Sequence, residues 1–178
     1  MKSSIRKEIN EKIALSSEEY RREASQIIQD RFLNSVEYAN SKSIFVYIST
    51  KNEVETRKII EKAFSDGKIV SVPKIYDNDM QAIEIEKTSE YNVNKYGILE
   101  PVIGKIVRNI DLCVVPLVAF DRSLRRLGRG KGYYDRYLSV GNYLKVALAF
   151  SIQKTEFVEV EKSDVDMDII ITEKEVYK

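Results

Sequence analysis

The chain has 178 residues, of which 43% are hydrophobic and 32% are charged, and its formal net charge is +1. This length and composition are typical of one soluble globular domain, and no apolar stretch is long enough for a membrane span. The absence of histidine excludes Ser–His and Cys–His nucleophile pairs and His-ligated zinc. A single cysteine, Cys113, excludes a disulfide framework, and an N-terminus without a signal-peptide core predicts a cytoplasmic location.

The N-terminal part of the chain predicts two helices. Residues 2–15 place Ile5, Ile9 and Ile13 four residues apart among charged side chains, which indicates an amphipathic helix. Ser16 and Glu19 have the spacing of a capping box that opens a second helix. The apolar residues of the second helix recur near the 3.6-residue period: Tyr20, Ala24, Ile27, Ile28 and Leu33.

A strand–helix–strand pattern follows. Residues 43–49 and 69–75 are rich in β-branched and aromatic residues, as strands covered on both faces are. Between them, residues 57–64 predict a helix that ends before Gly67, which has the position of a C-terminal cap. Such a βαβ unit predicts a parallel sheet.

The rest of the chain alternates between strands and loops. Residues 80–87 predict a half-exposed strand, residues 94–105 a loop, and the very apolar residues 109–120 a central strand. Further segments predict a helix over 132–140 and buried strands over 143–150 and 165–172. With no repeat and no linker, we predict one domain over residues 1–178. Its predicted class is α/β, a three-layer α/β/α architecture in which helices flank a Rossmann-like, mostly parallel sheet.

One loop concentrates glycine and positive charge. Three of the seven glycines, Gly128, Gly130 and Gly132, lie within five positions, and residues 121–136 hold six basic and two acidic side chains. Glycines allow backbone amides to crowd around an anion, and a helix that begins near residue 132 would point free N–H groups at the same place. We therefore predict a phosphate-binding loop over residues 126–132, in preference to a solvated surface turn. The loop matches neither the Walker A spacing nor the G-x-G-x-x-G spacing.

A longer stretch is more specific. Residues 116–138, PLVAFDRSLRRLGRGKGYYDRYL, resemble the signature of the 5-formyltetrahydrofolate cyclo-ligase family, also called 5,10-methenyltetrahydrofolate synthetases. Lys2 and Arg6 match the family's N-terminal Lys-x-x-x-Arg, and YISTKNEVET, YGILEP and VALAF resemble other family segments. The resemblance implies ring closure of 5-formyltetrahydrofolate to 5,10-methenyltetrahydrofolate, with ATP as co-substrate and Mg²⁺ as cofactor. ADP and phosphate are released after phosphorylation of the formyl oxygen and attack by N10.

The resemblance also implies site residues. For ATP these are Lys2, Ser3, Ser4, Ile5, Arg6, Arg126, Leu127, Gly128, Arg129, Gly130, Lys131, Gly132, Tyr133 and Tyr134. For folate they are Ile48, Glu53, its near alternative Glu55, Arg129, Gly130, Lys131, Gly132 and Tyr133. Catalytic roles fall on Lys131, Arg129, Tyr133 and Tyr134. A carboxylate can hold a pterin through a bidentate pair, and Lys131 can neutralise the γ-phosphate in transit.

Two aspartates are implied as magnesium ligands. Asp135 follows the glycine loop directly, and the second position falls on Asp164, for which Asp166 and Asp168 compete. Hard oxygen ligands suit Mg²⁺. Structural roles compete with these assignments: Asp135 can be a first-turn helix acid, Glu53 or Glu55 a helix start, and the tyrosines core residues.

Other functions remain open at this point. A basic loop could belong to a module that binds RNA or another polyanion, or to a catalytically altered relative on the same fold. A sugar-phosphate isomerase or an acyl-transfer enzyme on a similar fold is a third hypothesis. The near-neutral net charge and the compact basic patch favour a few phosphates over a nucleic-acid track. The predicted partner is therefore 5-formyltetrahydrofolate, with or without a polyglutamate tail. We expect no nucleic-acid or membrane partner, and a monomer or weak dimer.

Overall fold

The computed structural model describes residues 1–178. The α-helices are α1 (Lys2–Leu15), α2 (Glu18–Leu33), α3 (Val36–Asn40), α4 (Arg57–Ser65) and α5 (Tyr133–Ser139), with a 3₁₀ turn at Ser151–Gln153. The strands are β1 (Ser43–Val46), β2 (Ile69–Tyr76), β3 (Asp79–Glu84), β4 (Tyr91–Val93), β5 (Leu99–Pro101), β6 (Leu112–Val115), β7 (Ala119–Phe120), β8 (Arg126–Leu127), β9 (Leu144–Leu148), β10 (Ile169–Ile171) and β11 (Val176–Tyr177). None of the helices combines the length and the apolar character that a membrane crossing requires.

Seven strands form the main sheet in the order β11-β10-β9-β6-β1-β2-β3. The five inner strands run parallel, because β10, β9, β6, β1 and β2 pair in parallel along this order. The two edge strands, β3 and β11, pair antiparallel with their neighbours. The predicted α/β class is thus confirmed, and β6 is the central strand that the apolar pattern predicted.

The sheet is buried on both faces. Along β1, Ile44 and Val46 pack on one side with Ile28 and Phe32 of α2, whereas Phe45 packs on the other side. The first face is covered by α2 and α4, and the second by Tyr137 and Leu138 of α5. This arrangement explains why β1 and β6 read as continuous apolar runs, since alternate residues enter two different cores.

Three local predictions are corrected by the structure. The central strand stops at Val115, and residues 119–120 instead pair with β8 in a separate two-stranded ribbon. Helix α2 is capped by Ser17, whose side chain accepts from the Tyr20 backbone N–H, and Ser16 instead donates to the Ile13 carbonyl. The predicted loop over residues 94–105 contains β5, which pairs with β4.

Helix α1 lies against the β7–β8 ribbon. Ile9 and Ile13 are buried in a small third core with Val118, Leu127 and Val158. The period-four isoleucines of the sequence therefore mark the buried face of α1 correctly. This packing brings the first turn of α1 to the glycine loop, residues 126–132.

Candidate functional site

A cleft of about 1000 Å³ lies beyond the carboxyl ends of β1 and β6. Tyr47 and Ile48 follow β1, and Pro116 and Leu117 follow β6, and all four line the cleft. The carboxyl edge is the edge at which open α/β sheets bind ligands. The cleft also contains the residues that the sequence singled out in the glycine loop and its flanks: Arg126, Leu127, Gly128, Arg129, Gly130, Lys131, Gly132, Tyr133, Tyr134 and Asp135.

The first turn of α1 contributes two cations. Lys2 and Arg6 lie four residues apart on one face of the helix and both line the cleft. The Arg6 guanidinium donates from Nε to the Gly128 carbonyl at 2.8 Å. Ser3 and Ser4 point to solvent.

The neighbouring Ile5 is partly buried and packs against the third core. Ser3, Ser4 and Ile5, which the resemblance implied for ATP, are therefore not among the residues of the cleft.

The glycine loop requires its glycines. Gly130 has φ = +95° and Gly132, the N-terminal cap of α5, has φ = +70°, backbone conformations that L side chains rarely adopt. A Cβ atom at Gly130 would lie 3.3 Å from the Arg6 guanidinium carbon. The loop thus packs directly against α1, and this close approach explains the dense glycine spacing.

Arg126, the first residue of the glycine loop, has a buried side chain. Its side chain is only 2% exposed, and Nη2 donates to Asp135 Oδ1 at 2.5 Å. The Val165 backbone N–H donates to the same oxygen at 3.2 Å. The structure therefore places the Arg126 charge on Asp135, where sequence reasoning assigned Arg126 to phosphate and Asp135 to a metal.

Lys2 forms a second ion pair inside the cleft. Its Nζ lies 2.6 Å from Asp164 Oδ2 and 2.9 Å from Glu161 Oε1. Burial raises the pKa of Asp164, but hydrogen bonds from Lys2 and from the Glu161 backbone outweigh burial and leave the pKa below its usual value. Asp164 lines the cleft.

The two competing aspartates lie elsewhere. Asp166 is exposed and does not line the cleft. Asp168 accepts from the Lys145 backbone N–H at 2.7 Å, at the start of β9 and away from the cleft. Among the three candidate carboxylates, geometry thus brings only Asp164 to Lys2 and the glycine loop.

A third ion pair crosses the cleft. Arg129 Nη2 donates to Glu53 Oε1 at 2.7 Å and to Thr50 Oγ1 at 2.9 Å. Ile48 and Glu53 both line the cleft, as the resemblance implied. Glu55 does not line it, since Glu55 is exposed and its backbone N–H donates to Ser25 in α2. Lys131, by contrast, forms no ion pair with any carboxylate.

The paired tyrosines have different surroundings. The Tyr134 ring packs on Phe45 at a centroid distance of 6.1 Å, and its buried hydroxyl lacks a hydrogen-bond partner. Burial raises the pKa of Tyr134 far above its usual value. The Tyr133 hydroxyl lies 3.1 Å from that of Tyr96. One ring therefore packs inward and the other lies at the cleft mouth.

Sequence reasoning missed one wall of the cleft. Asn94, Tyr96 and Ile98 come from the turn that joins β4 to β5, and Ile75 and Met80 come from the β2–β3 hairpin. The segment YGILEP, which starts at Tyr96, matched the family but was interpreted only as a loop. That match was the signal that could have identified this wall.

The donor set fits a magnesium–nucleotide complex. The chain has no cluster of three or more His, Cys, Asp or Glu side chains that could hold a metal alone. Mg²⁺ in nucleotide sites needs only one or two carboxylates, because phosphates and water complete its shell. Asp135 Oδ2 and Asp164 Oδ1 accept no hydrogen bond from the protein, so each aspartate keeps one oxygen for a cation.

Comparison with known proteins identifies the family of the chain. The mouse (Mus musculus) 5-formyltetrahydrofolate cyclo-ligase is 30% identical over 97% of this chain and 93% of its own length. A solved Aquifex aeolicus 5,10-methenyltetrahydrofolate synthetase is 34% identical, with a TM-score of 0.89 over 99% of this chain and 92% of that one. A Mycoplasma pneumoniae 5,10-methenyltetrahydrofolate synthetase gives a TM-score of 0.78 at 28% identity, over 97% of this chain and 98% of that one. The model of the 5-formyltetrahydrofolate cyclo-ligase family matches residues 1–173, and the chain belongs to that family.

Proposed function

We propose that this chain closes 5-formyltetrahydrofolate to 5,10-methenyltetrahydrofolate, with ATP converted to ADP and phosphate and with Mg²⁺ bound. One observation carries the proposal: a single cleft unites the cationic glycine loop with Ile48 and Glu53, the implied folate contacts. Its volume of about 1000 Å³ lies at the upper end of the roughly 300–1,000 Å³ typical of a small-molecule pocket, which supports two substrates side by side.

The reaction needs an activated formyl oxygen, because the oxygen of an amide is a poor leaving group. In the proposed sequence the γ-phosphoryl group forms a bond to that oxygen while its bond to ADP breaks. N10 then attacks the formyl carbon, the carbon–oxygen bond breaks, and inorganic phosphate leaves with the oxygen while N10 loses its proton. Such chemistry depends on positioning and charge stabilisation more than on a protein nucleophile, which suits a chain without histidine.

The phosphate side of the cleft supplies cations and amides. Lys2 and Arg6 from α1 and Lys131 from the glycine loop all line the cleft. We assign Lys131 to the transferred phosphoryl group, because its ammonium group has no carboxylate partner and is free to meet an anion. Asp135 and Asp164 would hold Mg²⁺, which supplies positive charge to the phosphates when bound.

The folate side combines apolar walls with one carboxylate. Ile75, Met80 and Ile98 line the cleft together with Ile48 and offer contact to a flat ring system. Glu53 Oε1 can accept from the amino or ring N–H groups of a pterin once Arg129 has released it. Tyr133 follows Lys131 by two residues and also lines the cleft, where it can contact either substrate.

The test is a direct assay of purified protein. 5-Formyltetrahydrofolate and Mg-ATP are mixed with the enzyme, and the methenyl product is followed by its near-ultraviolet absorbance. The proposal expects a signal that requires both ATP and Mg²⁺. Protein that binds ATP but forms no methenyl product would contradict it. We also propose that residues 1–178 act as one domain in the cytoplasm, as a monomer or weak dimer without nucleic-acid or membrane partners. The near-neutral net charge supports the absence of a nucleic-acid partner.

A further inference from the structure

We propose that Thr50 is a positioning residue that fixes the Glu53 carboxylate for folate, an inference that rests on the proposed function. Thr50 donates to Glu53 Oε2 twice, from its backbone N–H at 2.8 Å and from its hydroxyl at 2.9 Å. The same hydroxyl accepts from Arg129 Nη2 at 2.9 Å, and that nitrogen also donates to Glu53 Oε1 at 2.7 Å. The three side chains form a closed hydrogen-bonded ring, which we call the Thr50 clasp.

The segment that carries Thr50 is itself held in place. The Thr56 side chain donates to the Tyr47 carbonyl at 2.7 Å and accepts from the Ser49 backbone N–H at 3.3 Å. The Glu53 backbone N–H donates to the Thr50 carbonyl at 3.1 Å, which closes a turn. Because both ends of the segment are tied, the Thr50 hydroxyl has a fixed position from which to orient Glu53.

The clasp is asymmetric. The Glu53 side chain is 14% exposed and that of Arg129 is 50% exposed, so Arg129 is the partner that can leave. Thr50 occupies both lone pairs of Glu53 Oε2, whereas Oε1 holds only Arg129. When Arg129 turns toward an anionic substrate, Thr50 still holds the carboxylate, and Oε1 becomes available to a folate donor.

Thr50 acts through Glu53 and not by touching substrate. Thr50 is not among the residues that line the cleft, although Glu53 and Arg129 are. A purely structural role would alter the stability of the protein and the binding of both substrates alike. A positioning role alters the binding of folate selectively, because Glu53 is the group that Thr50 orients.

The test uses two variants at this position. Thr50→Val keeps the shape and the backbone N–H but removes the hydroxyl, and Thr50→Ser keeps the hydroxyl. We expect Thr50→Val to raise the calorimetric Kd and the KM for 5-formyltetrahydrofolate about ten- to a hundredfold, the effect of losing one hydrogen bond to a charged group. We expect its KM for ATP and its kcat to change less than about threefold, and Thr50→Ser to restore folate binding to within about threefold. Thr88→Val, at an exposed position outside the cleft, is the matched control and should behave as the wild type.

Two results would overturn the proposal: wild-type folate affinity in Thr50→Val, or an equal rise in KM for both substrates. A wild-type protein that binds no folate would instead refute the proposed function. The clasp is then judged from urea unfolding of Thr50→Val, Arg129→Gln and the double variant. Non-additive free energies of unfolding support the clasp, and additive values overturn it.

Discussion

Lys131 stands apart from the other cations of the glycine loop. Arg126 is paired with Asp135 and Arg129 with Glu53, but Lys131 has no carboxylate within ion-pair distance. Its side chain is exposed at the cleft, so its loss removes no buried contact. An unpaired cation on a loop built around glycines is available to an anionic ligand, and its contribution should be to binding and turnover.

We predict that Lys131→Ala keeps the fold and lowers kcat/KM about ten- to a hundredfold, the range expected for one charge-assisted hydrogen bond to phosphate. Circular dichroism checks the fold, and the methenyl assay checks kcat/KM. Lys87→Ala removes an equally exposed lysine away from the cleft and should leave turnover unchanged. Wild-type turnover in Lys131→Ala would contradict a phosphate-binding role.

Arg126 should matter to stability as well as to activity. Because its guanidinium is buried against Asp135, Arg126→Met leaves a carboxylate partly buried without its partner. We predict a loss of about 2–4 kcal/mol in the free energy of unfolding, measured by urea denaturation, somewhat below the roughly 3–5 kcal/mol of fully buried pairs because Asp135 is 19% exposed. A loss below about 0.5 kcal/mol, the usual range for surface substitutions, would show that Arg126 is not part of the structural pair.

The sequence predicted which residues meet at the site better than it predicted how they pair. Lys2, Arg6 and the glycine loop were assigned to one ligand from motif positions, and the cleft does contain them. The motif carried no information about the Lys2–Asp164 pair, because the two partners lie 162 residues apart and meet only through tertiary packing. The contact between Thr50 and Arg129 was missed for the same reason, since the two residues are remote in sequence.

At the scale of elements, segments with strong apolar character were predicted, although not always with the right bounds, and short exposed ones were not. Helix α1 and strands β1 and β6 follow from their apolar spacing, which their burial on one or two faces requires. The β4–β5 ribbon has strands of only three residues each, largely exposed, and so carries no alternating signal. Pro116, which closely follows β6, should have indicated that the central strand ends early, since proline lacks the N–H needed for a sheet ladder.

Glu173 ties three elements together near the end of the chain. It accepts from the Tyr20 hydroxyl of α2 at 2.8 Å, and from the Ser151 backbone N–H of the 3₁₀ turn at 2.8 Å. The Ser151 hydroxyl also donates to Glu173. Burial raises the pKa of Glu173, but these hydrogen bonds outweigh burial and leave the pKa below its usual value of 4.5.

This lowered pKa predicts an acid-sensitive contribution to stability. A carboxyl whose pKa is lower in the folded than in the unfolded state stabilises the fold above the unfolded pKa, and that stability is lost as the pH falls through the folded pKa. We predict that Glu173→Gln lowers the free energy of unfolding by about 1–3 kcal/mol at pH 7, and by progressively less as the pH falls below about 4.5. Urea unfolding at pH 7 and pH 3 measures both values, with the exposed Glu159→Gln as control. An equal loss at both pH values would contradict the prediction.

At the scale of the whole molecule, segments that are distant in sequence converge on one cleft. They are α1, the glycine loop, the segment after β1 and the segment between β9 and β10. The parallel order of the inner strands places their carboxyl ends at one edge, which is why distant residues meet there. The apolar pattern was sufficient to predict the parallel sheet that creates this edge. It could not predict that the cleft would be electrically balanced by three ion pairs between implied ligands: Lys2–Asp164, Arg126–Asp135 and Arg129–Glu53.

This balance predicts that ATP and Mg²⁺ bind together. Asp135 and Asp164 would hold Mg²⁺, and their present partners, Arg126 and Lys2, would then face the phosphates, so that no charge is left uncompensated. ATP alone would instead bring its phosphates next to Asp135 and Asp164, whose repulsion weakens binding.

At a ligand concentration of 100 times Kd, binding stabilises the folded state by about 2.7 kcal/mol, which raises Tm by about 5–10 °C for a chain of this size. We therefore expect Mg-ATP to raise Tm by that amount, and the same ATP concentration in EDTA to give at most a third of the shift. Lys131→Ala should show a smaller Mg-ATP shift than the wild type. An equal shift with and without the metal would show that the two aspartates take no part in holding the nucleotide.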